Sequence, residues 1–168
     1  QDLYSIAENL GGDVTRFAGK TLLITGGSGF LGSYVVATMD FLNRYFLEKP
    51  CRVISVDNHL VGKKNNLIRS IESPHVVYLQ HDVCLPLSID EPVDFIMSAA
   101  GVASPVYYKQ YPIPTIEGTI FGIKNTLELS RQKKVESILY FSSSEIYGDP
   151  DPNFIPTPET YKGNVSSI

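Results

Sequence analysis

The uncharged run Thr21–Thr25 (TLLIT) leads straight into Gly26, Gly27, Ser28, Gly29, Phe30, Leu31 and Gly32, and a helical pattern then continues to about Leu47. Few folds accept that order. An aliphatic, β-branched run of this kind fits a strand covered on both faces, as in a parallel sheet. Glycines directly after it permit a sharp reversal, close backbone approach to a ligand and tight packing of helix on strand. The helix that begins there presents free N–H groups and its positive dipole end, which suits a phosphate. Two glycine frames overlap, Gly27-x-Gly29-x-x-Gly32 and Gly26-x-x-Gly29-x-x-Gly32, and the pattern alone does not choose between them. The bland alternative is a tight turn that binds nothing.

Four further strands are expected at Arg52–Val56, Val76–Gln80, Val93–Met97 and Ser137–Phe141, with a long helical pattern from about Pro114 to Lys133 before the last. Strands alternating with helices, joined by turn residues, predict a doubly wound parallel α/β sheet of the Rossmann type. Residues 1–19 read as a lead-in with room for one short helix, and residues 20–168 as a single dinucleotide-binding domain. Within the long helix, Leu127 and Leu129 read as core.

An acidic residue at the end of the second strand strengthens the phosphate reading. Asp57 stands where a carboxylate can accept hydrogen bonds from both adenosine ribose hydroxyls and repel a 2′-phosphate, which favours NAD over NADP. Asp82 and Val83, closing the third strand, could offer a carboxylate and a backbone amide to the adenine. An ordinary turn aspartate explains Asp82 equally well.

Composition removes several classes. A net charge of −4 argues against a nucleic-acid or anionic-membrane partner. No apolar run approaches the ~20 residues that cross a bilayer. His59, His75 and His81 lack the convergent spacing of metal ligands, so no metal is expected. The two cysteines, Cys51 and Cys84, form no framework, and no signal segment opens the chain, so the cytoplasm is the expected location.

Taken together, residues 25–32, Asp57-Asn58, His81-Asp82-Val83 and the stretch Ser142–Gly148 (SSSEIYG) resemble the extended short-chain dehydrogenases of the NAD-dependent epimerase/dehydratase family, which modify nucleotide sugars. Ala103-Ser104-Pro105 and residues 144–150 (SEIYGDP) look most like the UDP-glucuronate decarboxylases of that family. The resemblance implies a nucleotide-sugar substrate and chemistry through a 4-keto sugar. Decarboxylation is the favoured outcome, with 4,6-dehydration or 4-epimerisation as the alternative. It implies that Gly26, Gly29, Phe30, Leu31 and Gly32 form the pyrophosphate turn. Asp57, Asn58 and Gly62 would surround the adenosine ribose, Asp82 and Val83 the adenine, and Ala99 and Ala100 the floor beneath the nicotinamide. Ser143 would belong to a Ser-Tyr-Lys set, with Ser144 beside it and Glu145 as a buried acid/base near the sugar. Asn125 would contact the nucleotide sugar, and a homodimer would form through paired helices.

Three departures stand against this. The family's Tyr-x-x-x-Lys occurs only as Tyr45 and Lys49, ahead of the second strand and so on the wrong side of the fold. The true pair is expected beyond Ile168, and the chain is expected to bind without turning over; a non-catalytic dinucleotide sensor is the other reading of that lack. Glu117 stands where the decarboxylases carry a Lys, with Thr119 in place of an Asn, and Ser98 replaces a His. A carboxylate at Glu117 would repel a glucuronate.

Overall fold

The computed structural model describes residues 2–61 and 71–165. Helix α1 (Asp2–Leu10) and a 3₁₀ turn (Gly11–Phe17) precede β1 (Thr21–Thr25), α2 (Phe30–Tyr45), β2 (Arg52–Asp57), β3 (Val76–Gln80) and β4 (Phe95–Ser98). Helices α3 (Pro105–Gln110) and α4 (Pro112–Lys133), strand β5 (Ser137–Tyr140) and 3₁₀ turns at Ser144–Tyr147 and Pro152–Phe154 follow. All paired strands are parallel, in the order β3-β2-β1-β4-β5. The order reverses between β1 and β4, and a crevice opens at the carboxyl ends of strands at such a switch point.

The alternation along β1 builds both sides of the core. Leu22 and Ile24 face α1 and α2, where they pack with Val36, Met39, Leu42, Val53 and Val76. Leu23 faces the other way, into a cluster with Ile54, Val56, Val93, Ile96 and Leu129 of α4. All three β1 side chains are fully buried, which is why the run carries no polar alternation.

The lead-in is more than one short helix. Ala7 and Val14 are buried in the cluster beneath α2, and Phe17 stacks edge-on against Phe95 with ring centroids 5.4 Å apart. Asn43, near the end of α2, accepts from the Cys51 N–H at 2.7 Å and donates to its carbonyl at 2.8 Å, which fixes the entry to β2.

Helix α3 was not visible in the sequence pattern. It is separated from α4 by Tyr111, held at φ −126° and ψ 60° ahead of Pro112, because a residue before proline is disfavoured in the helical region. Leu127 corrects an expectation. It is 51% exposed, whereas the inward stripe of α4 runs through Gly122, Thr126 and Leu129. Leu127 lies about 100° around the helix from Thr126 and misses that stripe.

Candidate functional site: a cleft at the sheet switch point

The cleft begins where β1 ends. Gly26 adopts φ +75° and donates its N–H to the Val56 carbonyl at 2.8 Å. A Cβ on Gly26 would lie 2.6 Å from the Ala99 carbonyl oxygen, and one on Gly32 would lie 2.1 Å from the Gly26 carbonyl oxygen. No side chain could be accommodated at either place. The left-handed turn therefore starts at Gly26, and Gly27 is closed to a side chain as well, since its Cβ would lie 2.0 Å from Ser55 Oγ, so the fold requires the first glycine of both frames.

Gly29 is the N-cap of α2 and no side chain caps that helix, so its first-turn amides, Phe30 and Leu31 among them, have no helical partner. Helix dipole and free donors together make this end an anion seat. Thr25 closes the crevice beneath. Its hydroxyl accepts from the Ala99 and Ala100 amides at 3.2 Å each, joining β1 to β4 at the switch point.

Across from the turn, Asp57 is 13% exposed at its side chain. Oδ2 accepts from the Ser28 N–H at 2.9 Å and Oδ1 from the His59 N–H at 2.7 Å, so the carboxylate bridges the glycine turn and the Asn58-His59 bend. His59 holds φ +58° to make that bend. Asn58 Nδ2 donates to Asp82 Oδ2 at 3.3 Å, linking the ends of β2 and β3. Asp82 Oδ1 accepts from the Cys84 N–H at 2.9 Å, and that bond above all holds the Asp82 carboxyl below its ordinary range. Burial pushes the Cys84 thiol up to about 11, with the Asp82 and Glu117 charges adding to the effect.

One cleft of about 640 Å³ contains Gly26, Gly29, Phe30, Asp57, Asn58, Asp82, Val83, Ala99 and Ala100, together with Tyr107 of α3 and Glu117 of α4. That volume falls within the range of small-molecule and cofactor sites. Leu31 and Gly32 belong to the helix end behind it, and Gly62 lies outside the described residues, as do Lys63 and Lys64. Glu117 lines the cleft, and its charge reaches Cys84.

Other expected residues are elsewhere. Ser143, Ser144 and Glu145 sit in the 3₁₀ turn past β5, all exposed and none lining the cleft. Ser143 Oγ accepts from the Glu145 N–H at 3.2 Å as an N-cap. Glu145 is thus a solvated carboxylate here, not the buried one expected, because the segment that packs on that turn lies against Ile146 and Tyr147, with Asn164 donating its N–H to the Tyr147 carbonyl at 2.8 Å, and leaves Glu145 exposed. Asn125 does not line the cleft either; its Nδ2 donates to the Val83 carbonyl at 2.9 Å. Tyr45 ends α2, ~24 Å of helix from the glycine turn, and Lys49 lies against Gly19 ahead of β1. That pair has no access to the cleft. The Asn125 and Thr25 bonds escaped sequence reasoning, since both join elements distant in sequence.

A parallel sheet in this order, with an uncapped helix after a glycine turn and a carboxylate opposite, defines a Rossmann-type dinucleotide-binding domain. The NAD-dependent epimerase/dehydratase family profile matches residues 22–166. The chain belongs to that family. UDP-glucuronic acid decarboxylase 5 of Arabidopsis thaliana is 40% identical over 147 residues, which cover 88% of this chain and 40% of that protein. A crystal structure of a UDP-galactose 4-epimerase is 26% identical with a TM-score of 0.69, covering 86% of this chain and 44% of its own. A UDP-glucose 4-epimerase from Thermotoga maritima, solved with UDP-glucose, is 27% identical with a TM-score of 0.66, covering 87% and 45%. The chain therefore spans less than half the length of these relatives.

Proposed function

We propose that this chain is the NAD-binding portion of a nucleotide-sugar-modifying lyase that works through a 4-keto sugar, most like the UDP-glucuronic acid decarboxylases. The observation that carries the reading is the uncapped α2 N-terminus facing the Asp57 carboxylate across one cleft. The 40% identity to an Arabidopsis decarboxylase directs it toward decarboxylation.

The residues fit the cofactor, because the absence of Cβ atoms at Gly26 and Gly32 leaves the turn its shape and the free amides await an anion. The Phe30 and Leu31 amides would hold the pyrophosphate. Asp57 and Asn58 would accept and orient the adenosine ribose, and Asp82 and Val83 the adenine. Ala99 and Ala100 would floor the nicotinamide half, where NAD supplies a hydride acceptor for the sugar's C4. Ser143, Ser144 and Glu145 lie past the carboxyl end of β5, and we assign them to the sugar side, Glu145 to proton transfer at C5. Glu117 lines the same cleft as the Ala99-Ala100 floor, so the repulsion expected of a glucuronate carboxylate there still counts against decarboxylation.

Structural likeness to 4-epimerases supports epimerisation as the second reading. Incubating the longer protein with NAD and UDP-glucuronate separates the two: CO2 release marks the decarboxylase. Turnover of other UDP-sugars but not UDP-glucuronate discards it.

The same reading includes a homodimer built on α4. Ile113, Ile116, Ile120 and Leu127 are exposed on that helix, and with Ile123 they repeat at alternating three- and four-residue steps. That period is the seam of paired helices. We assign the protein to the cytoplasm, since Cys51 and Cys84 are both free thiols, as a reducing compartment keeps them.

A further inference from the structure

We infer that Asn125 is a positioning residue for adenine recognition, acting on the Asp82 carboxylate through the single peptide unit between Val83 and Cys84. The inference rests on the adenine placement proposed above. Asn125 Nδ2 donates to the Val83 carbonyl at 2.9 Å, and the N–H at the other end of that same peptide, from Cys84, donates to Asp82 Oδ1 at 2.9 Å. A peptide unit is planar, so fixing its carbonyl fixes the direction of its N–H. The helix thus sets the carboxylate's orientation without touching it. Hydrogen bonds in series through one amide also polarise one another.

A second contact holds the same unit. Val83 is 9% exposed and its Cγ2 would be 2.9 Å from a Cβ on Gly122, so the side chain seats on bare helix backbone. Gly122 and Asn125 are three residues apart and share a face of α4. One seats the Val83 side chain and the other holds its carbonyl. From the cleft side, Asn58 Nδ2 donates to the other Asp82 oxygen at 3.3 Å, which leaves the carboxylate little freedom to turn.

Adenine presents an amino group where hypoxanthine presents a carbonyl. A carboxylate held in place accepts from the first and repels the second; one free to rotate discriminates less. The test is the ratio of dissociation constants for nicotinamide hypoxanthine dinucleotide and NAD, measured by calorimetric titration. The wild-type protein is expected to prefer NAD by about tenfold or more, the scale of a hydrogen bond to a charged group. In Asn125→Ala the ratio falls by about fivefold, and Gly122→Ala, which pushes Val83 off its seat, gives the same fall by an independent route. Thr126→Val serves as the structural control. It removes the buried bond from the Thr126 hydroxyl to the Gly122 carbonyl (2.7 Å) without touching Val83, and keeps the wild-type ratio at a lower melting temperature.

An unchanged ratio in both Asn125→Ala and Gly122→Ala overturns the inference while leaving the adenine placement intact. So does an equal fall in Thr126→Val, which would reduce Asn125 to packing. A wild-type protein that binds both dinucleotides alike overturns the adenine placement itself, and this inference with it.

Discussion

Asp57 shows what a single residue can settle. Each of its oxygens already accepts one backbone N–H, from Ser28 and from His59, and the His59 ring lies 3.6 Å from Oδ1. Replacing it removes both the acceptor and the charge that disfavours a 2′-phosphate. Asp57→Ala is expected to weaken NAD by ~10- to 100-fold and NADP by much less, read by calorimetric titration; equal losses for the two would remove Asp57 from the ribose. The place of Asp57 in the cleft was legible because it follows from the position of a carboxylate at the end of a strand pattern. The reason for two adjacent glycines was not, since it depends on the +75° φ of Gly26 and on the nearness of Ala99 and Ser55, which no spacing records. Asn125 escaped for the same reason: its partner lies 42 residues away. The exposure of Glu145 was equally hidden, because what covers a loop is a property of the packed molecule.

Elements were read more fully than their partners. β1 and β3 have the expected bounds, and α2, β2 and β5 end within two residues of them, because periodicity and flanking turn residues are local signals. β4 begins two residues later than expected, at Phe95 instead of Val93. Asp94 is committed instead to the start of β1, where Oδ2 accepts from the Thr21 N–H at 2.7 Å. Helix α4 carried two apolar faces, and Leu127 was assigned to the wrong one. Its exposed isoleucine seam leads to a prediction at this scale. Ile116→Lys with Ile120→Lys should convert a wild-type dimer to monomer in sedimentation at matched concentration, leaving NAD affinity unchanged. A wild-type monomer, or a dimer in both, would contradict the assignment of α4.

At the scale of the whole molecule, the sheet places every carboxyl strand end on one side, and the glycine turn, Asp57, Asp82 and the Ala99-Ala100 pair all follow from that. The domain's lower half depends on its first residues, which the sequence pattern left as a lead-in. Val14 and Phe17 pack into the cluster beneath α2, and burial of such side chains contributes ~1.5–3 kcal/mol each. Deleting residues 2–17 is expected to lower unfolding free energy by roughly 3 kcal/mol in urea titration, while an unchanged midpoint would show α1 to be an ornament on a complete core. The central claim is that backbone amides at the start of α2 and one carboxylate across the cleft grip a dinucleotide. A crystal structure grown with excess NAD tests it most directly. It should show the pyrophosphate against the Phe30 and Leu31 amides and both adenosine ribose hydroxyls on Asp57. A nucleotide bound elsewhere, with the Gly26–Gly32 turn empty, would contradict it.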